Sequence, residues 1–245
     1  PTIRIHPGII AQAAATAAAM MPGRFVLGLG SGENLNEHIF GDRWPPAPVR
    51  IEMLEEAVEV IRALWTGSMQ TYYGSFYTLE NAQVFSLPES LPPIAIASEG
   101  PISASLAARV GDGFINGGTN AERSLVVFKK SGGDDKPAYV EISVCWAESE
   151  EVGERTAYEE WPIAANTGEL NRLLPTPAHY EQLAKMATLE DVVEGMPCGP
   201  DPEPYIKKIE DRVRMGFDHI CIHQIGEQQK EFMDFAAAEI LPHFR

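Results

Sequence analysis

"LGLGSGENLNEHIFGDRWP", Leu27 to Pro45, places glycine or serine at Gly28, Gly30, Ser31 and Gly32, then turns to Glu33, Asn34, Asn36, Glu37 and His38. A dinucleotide fingerprint needs G-x-G-x-x-G opening a helix directly after a strand. Gly28 and Gly30 supply its first half, but the third glycine would fall on Glu33. Nothing helical is expected afterwards, because Phe40-Gly41-Asp42-Arg43-Trp44-Pro45-Pro46 reads as a long loop. The dinucleotide reading fails. What remains is a buried strand, Arg24 to Gly30, opening into a polar, glycine-rich loop.

Outward from this stretch the pattern alternates between strand and helix. Pro7 is placed to start an Ala-rich helix through Met20, in which Gln12 and Thr16 interrupt an apolar run that resembles a signal-peptide core. Arg50 to Trp65 is the clearest helix, with Ile51, Leu54, Val58, Ile61 and Trp65 on one face. Its Glu52, Glu55, Glu56 and Glu59 read as a solvated face. Met69 to Leu79 reads as a hairpin about Gly74-Ser75, where Tyr72, Tyr73, Phe76 and Tyr77 pack across strands.

Further strands are expected at 93–98, 112–116, 139–146 and 218–224, with helices after Gly100-Pro101, near 122–130, from 149 to 161 and from 227 to 243. Asn166 to Met196 is polar and Pro-punctuated, with room for one or two short helices. Asp201-Pro202 opens a helix with Tyr205, Ile206, Ile209 and Val213 inward, and Gly216 stops it. Short apolar strands alternating with helices predict a parallel sheet with helices outside. A closed barrel of this kind has eight units in about 250 residues. Five units are legible in 245 residues, so the chain reads as one domain, 1–245, of a (β/α)8 barrel lacking its N-terminal units. The first residue, Pro1 rather than Met, agrees with that expectation.

Charge narrows the function. Lys+Arg total 19 against 35 Asp+Glu, a formal charge of -16. Tracking a phosphate backbone or an anionic membrane needs clustered cations, so neither nucleic acid nor membrane is an expected partner. The partner expected is a small molecule. Cys145, Cys198 and Cys221 form no C-x-x-C, and those in apolar strand runs read as buried, inert thiols in a reducing cytoplasm. His219 and His223 share one strand face but lie about 13 Å apart, too far for a common metal. With no H-E-x-x-H and no G-x-S-x-G, neither metal catalysis nor a covalent hydrolase has support.

In parallel α/β barrels, chemistry gathers where strands end and loops begin. Three such places stand out: Ser31 to Asn36, Ala97-Ser98-Glu99-Gly100, and Asn116 to Asn120. The first offers the Glu33 carboxylate, with Asn36 three residues on. Taken alone, such a loop acid is more often a surface residue than a catalyst. The second is a small-residue turn into a helix, equally suited to tight packing and to a phosphate on helix N–H groups. Glu33 is expected in the barrel mouth on the same side as Ser98 and Asn116.

"RFVLGLGSGENLNEHIFGDRWP", together with "PTIRIHPGIIAQAAATAAAMMPGRF", "IASEGP", "RVGDGFI", "CGPDPEPYI" and "GFDHICIHQIG", resembles the luciferase-like superfamily of flavin and deazaflavin barrel enzymes. Within it the chain is similar to the branch holding coenzyme F420-dependent glucose-6-phosphate dehydrogenase. The resemblance implies an F420-dependent oxidoreductase, a homodimer when complete, exchanging hydride between an alcohol or aldehyde and the deazaflavin. It implies Glu33 as the active-site acid, with Ser31, Gly32 and Asn36 beside the cofactor and Ala97, Ser98, Glu99 and Gly100 at its phosphate. Glu99 replaces a usually small residue there. An Asp-His-Phe…Trp stretch, whose His acts on the substrate hydroxyl, lies upstream of Pro1 in the family.

The phosphate-holding Thr, two Lys and Arg of the glucose-6-phosphate enzymes align with Gly117, Asn120, Asn171 and Gly195, and Arg172 is the one neighbouring cation. Holding a dianion without cations is costly, so the substrate implied is small and unphosphorylated. An FMN-dependent luciferase-like monooxygenase is the rival reading. A non-catalytic truncated barrel is the third.

Overall fold

The computed structural model describes residues 1–166 and 168–245, which fall into two units. One comprises Pro1–Asn116 and Asn120–Ala138, the other Gly117–Thr119 and Tyr139–Arg245.

The first unit begins with helix α1 (Pro7–Met20), whose capping side chain is His6 and whose buried residues are Pro7 and small alanines. Strand β1 (Leu27–Leu29) follows, shorter than the apolar run suggested. Helix α2 (Asn34–Glu37) and a 3-10 turn (His38–Phe40) then occupy a stretch expected to be loop. One turn of helix is too short to leave a periodic apolar pattern.

Helix α3 (Ala47–Leu64) is anchored to α1 by Trp65, whose indole N–H donates to the Ala11 carbonyl at 2.9 Å. The hairpin β2 (Gln70–Tyr73) and β3 (Thr78–Ala82) leads to β4 (Ile94–Ala97), α4 (Pro101–Val110), β5 (Gly113–Asn116) and α5 (Ala121–Phe128). Tyr77 of the hairpin is buried, and its hydroxyl reaches the Thr2 carbonyl at 2.7 Å. Tyr73, in contrast, stands out in solvent.

Strands β1, β4 and β5 lie side by side and parallel, with Gly28 opposite Ala95 and Ala95 opposite Gly113. Alternation sends Leu27, Leu29, Ile94, Ile96 and Phe114 to a buried face, where Phe114 stacks on Phe128 at 4.9 Å. Burying each such side chain is worth about 1.5–3 kcal/mol. The opposite face carries Gly28, Gly30, Ala95, Ala97 and Gly113, with Ile115 the bulky exception among these. Asp112 fixes the start of this arrangement, accepting the Ile94 N–H at 2.9 Å and pairing with Arg62 at 2.9 Å.

The acidic face of α3 differs from expectation. Glu56 is buried, and its carboxylate accepts the N–H groups of Ser75, Phe76 and Tyr77 at 2.7–3.0 Å. Glu55 pairs with Arg109, and Glu59 accepts from the Tyr72 hydroxyl. The hairpin turn supplies donors that the helix pattern alone does not reveal.

The second unit pairs β6 (Ala138–Val144) with β7 (His219–Gln224), again parallel. Between them come α6 (Glu150–Glu160), α7 (Leu170–Leu173), α8 (Pro177–Ala184), α9 (Leu189–Val193) and α10 (Glu203–Met215). The polar stretch thus holds three short helices, one more than expected. Thr188 and Asp191 close the start of α9 with a reciprocal capping box.

Gly216, at φ 98, ends α10 in the left-handed conformation. Val213 is exposed, so the inward face of α10 is Tyr205, Ile206 and Ile209 alone among the four expected. These pack with Ile142, Val144, Phe232 and Ile240. The last helix, α11 (Gln229–Phe235), widens into a π turn (Ala236–Ile240) and a 3-10 turn (Leu241–Phe244). Cys145 is buried as expected, whereas Cys221 is exposed because it lies on the face of β7 opposite Ile220 and Ile222. No helix among the described residues is long and apolar enough to cross a membrane.

Candidate active site

In the first unit, two of the expected loops meet at the carboxyl ends of neighbouring strands. A side chain on Gly30 would place its Cβ 3.3 Å from Ala97 Cβ, so the Ser31–Asn36 and Ser98–Gly100 turns leave the sheet side by side. Within the row Gly28, Gly30, Ala95, Ala97 and Gly113, Ala95 is buried and a Cβ on Gly113 would lie 3.1 Å from the Pro137 carbonyl oxygen, so only the carboxyl-terminal part of the face is open. Gly28 and Ala97 are exposed there.

Glu33 is the N-cap residue of α2, extended at φ -133, and its side chain does not cap the helix. It is exposed, as is Asn36, while Ser31 and Gly32 are half-buried. Gly32 adopts φ +73, and a Cβ there would fall 2.9 Å from Glu37 Cγ. Glycine is therefore required on two grounds, conformation and space.

The turn after β4 is held from within. The Ser98 N–H donates to the Ile115 carbonyl at 2.8 Å, and its hydroxyl meets the Gly100 carbonyl at 3.1 Å and Ser103 Oγ at 2.8 Å. These Ser98 donors face the protein. Helix α4 begins at Pro101, which has no N–H, so its first amides lie at Ile102 and Ser103. Gly100 sits at the cap in open space, and Glu99 is half-buried.

Ser98 and Asn116 differ in burial from Glu33, which is exposed. Both are buried, and the Asn116 amide donates to the Ser98 carbonyl at 2.7 Å. They follow the parity of Ile94, Ile96 and Phe114, which turns them away from the glycine–alanine face. Asn120, also in this unit, caps α5 in the left-handed conformation at φ 51.

The other expected contact residues belong to the second unit. Gly117 is exposed beside Gly118, whose φ is +92. Asn171 and Arg172 lie on α7. The Asn171 amide donates to the Asn166 carbonyl at 2.9 Å, and the Tyr180 hydroxyl donates to the Asn171 carbonyl. Asn171 Oδ1 and Asn166 Nδ2 are buried without a partner. Gly195 carries no charge, and its carbonyl accepts from Lys208 Nζ at 2.6 Å. Burial, and then the neighbouring Arg212 charge, push that ammonium down to about 8.

A polar row lines one face of β6 and β7, Tyr139, Glu141, Ser143, His219, Cys221 and His223, of which sequence reading placed only His219 and His223 together. Tyr139 stacks on His219 at 4.4 Å, and Glu141 lies 3.6 Å from His223 Nδ1. Trp161 meets the His223 ring edge-on at 5.1 Å. Period-2 spacing on both strands was the available signal. No cluster of three or more His, Cys, Asp or Glu suited to a metal occurs among the described residues. Burial pushes the Cys145 thiol up to about 11 and Cys198 to about 12, which makes both poor nucleophiles.

Parallel strands, outer helices and loop-borne polar groups at the strand ends define an α/β enzyme of the barrel class. Residues 1–219 match the luciferase-like monooxygenase family model, and the chain belongs to that family. The whole chain is 34% identical to the F420-dependent glucose-6-phosphate dehydrogenase of Microbacterium testaceum, covering 76% of that protein. A solved F420-dependent secondary alcohol dehydrogenase, in complex with an F420-acetone adduct, superposes with a TM-score of 0.90 at 25% identity. That match covers 99% of this chain and 76% of the other. The coenzyme F420-dependent tetrahydromethanopterin reductase of Methanopyrus kandleri shares the fold, with a TM-score of 0.79 at 18% identity over 100% of this chain and 81% of its own.

Proposed function

We propose that this protein is a coenzyme F420-dependent oxidoreductase that exchanges hydride with a small, unphosphorylated alcohol or its carbonyl counterpart. The observation that carries the reading is the accessible small-residue part of the strand face, Gly28, Gly30 and Ala97, beside the Glu33 loop. Relatives named for F420-dependent alcohol and sugar-phosphate oxidation support it.

Coenzyme F420 supplies a 5-deazaflavin carbon that exchanges hydride and reacts poorly with oxygen. Ser31, Gly32 and Asn36 would border the ring, with the glycine–alanine face beneath it. Ala97, Ser98, Glu99 and Gly100 would shape the turn at the phosphate, whose anionic oxygens suit the first amides of α4. Glu33 would present its carboxyl group to the ring system, where negative charge develops on reduction and an acid would stabilise it.

Gly117, Asn120, Asn171 and Arg172 would meet the substrate. Three of these four are neutral, and the ammonium near Gly195 is engaged by backbone carbonyls at Gly195 and Ser143. The orphaned amide atoms of Asn166 and Asn171 suit a neutral hydroxyl or carbonyl better than a dianion.

Anaerobic titration with F420 and, separately, FMN tests the cofactor. Turnover is then followed with short secondary alcohols and with glucose 6-phosphate. Micromolar F420 binding with reduction by an alcohol is expected. Preference for FMN, or turnover of glucose 6-phosphate alone, overturns the proposal.

A further inference from the structure

Glu37 is the buried carboxylate of the loop that carries Glu33 and Asn36, at 3% exposure. Its Oε2 accepts the Arg4 N–H at 3.0 Å, and its Oε1 is buried without a hydrogen-bond partner. Arg4 turns back to the same loop, donating from Nη1 to the Asn36 carbonyl at 3.0 Å. The Asn36 and Glu37 N–H groups both reach the Glu33 carbonyl at 3.1 Å.

Gly32, immediately before Glu33, lies flat against the same side chain, since a Cβ there would sit 3.1 Å from Glu37 Oε1. One carboxylate therefore borders Glu33 from both directions along the chain, through Gly32 on one side and Asn36 on the other. Burying a carboxylate with one oxygen unsatisfied is unfavourable for folding, and an apolar side chain would fill the volume more cheaply. The arrangement makes sense if the carboxylate fixes the loop.

We infer that Glu37 is a positioning residue, setting the Ser31–Asn36 backbone so that Glu33 and Asn36 are presented to the deazaflavin. The inference rests on the functional reading above. In this role Glu37 acts through Gly32 and the turn of α2. Displacing a catalytic group by about 1 Å can lower a rate about 100-fold.

The test compares Glu37→Ala, Glu37→Gln and, as a control for stability alone, Tyr205→Phe, which removes the buried hydroxyl bond to the Gly199 carbonyl. Amide hydrogen exchange of residues 31–37 is measured without cofactor, and F420 affinity and reduction rate are measured with it. Glu37→Ala is expected to speed exchange across the loop and slow reduction about 10- to 100-fold, with the alcohol KM little changed. Glu37→Gln, which retains an acceptor for Arg4, should restore most of both. Tyr205→Phe should lower Tm without slowing reduction. Unchanged loop exchange in Glu37→Ala, or a slowing that Tyr205→Phe matches at equal Tm loss, overturns the inference. Should the unaltered protein bind no F420, the functional reading falls and this role with it, whereas normal F420 reduction in Glu37→Ala defeats the positioning role alone.

Discussion

The Asn116 side-chain amide donates to the Ser98 carbonyl at 2.7 Å, wholly buried, and joins the carboxyl ends of β4 and β5. The backbone that leads into α4 is thereby tied to its neighbouring strand one residue beyond the last registered pair, Ala97 and Ile115. Replacing Asn116 by Ala leaves a buried carbonyl without this donor, at a cost of about 1–3 kcal/mol. Urea unfolding should show that loss. F420 affinity should fall as well if the turn holds the cofactor phosphate.

Glu33→Gln preserves size and hydrogen bonding but cannot deliver a proton. Stabilisation of charge that develops during reaction is worth roughly 2.7–4 kcal/mol, so the reduction rate should fall about 100- to 1,000-fold. F420 affinity should change much less, because that charge is absent from the ground state. Stopped-flow reduction and a binding titration measure the two halves. An unaltered rate removes Glu33 from the chemistry and leaves it an exposed loop acid.

Glu56 accepts three consecutive backbone N–H groups from the hairpin turn. Glu56→Ala should cost about 2–4 kcal/mol, since hydrogen bonds to a charged acceptor are lost and buried donors are left behind. Glu56→Gln, keeping one acceptor oxygen, should cost less. Thermal melts of the two variants give the order.

Lys208 provides a pH test of stability. Its folded pKa, near 8, lies below the ordinary 10.5 because of burial and then the Arg212 charge. Below pH 8 both folded and unfolded chains carry the proton, and the folded state bears the full cost of burying it. Between about 8 and 10.5 the unfolded chain binds more protons, so this residue's contribution to stability rises with pH. Lys208→Met removes that slope. Denaturation midpoints at pH 7, 8.5 and 10 should converge toward or cross those of the variant; parallel curves count against the assignment.

The strand–helix succession was legible because it rests on periodicity and on Gly and Pro. Pro101–Val110 and His219–Gln224 fall where the sequence placed them. The Ser31–Asn36 and Ser98–Gly100 loops were legible as glycine-rich strand ends. Glu37 and Glu56 were not. Each is a carboxylate whose donors come from elsewhere in the chain, Arg4 in one case and the hairpin turn in the other. Local pattern reports which face a residue lies on, but it does not report which distant N–H groups arrive there. Helix α2 escaped for a different reason: four residues form one turn, with no second turn to establish a period.

The glycine–alanine row on β1, β4 and β5 also bears on how this protein can diversify. At Gly30 any side chain meets Ala97, and at Gly113 any side chain meets the Pro137 carbonyl, so these two positions tolerate little variation. Gly117, Asn120 and Arg172 stand on turns or a short helix outside that row. Under the function proposed above, exchanges there would recast substrate choice while the platform persists. The two halves of the catalytic task would then drift at different rates, one floor serving successive clienteles.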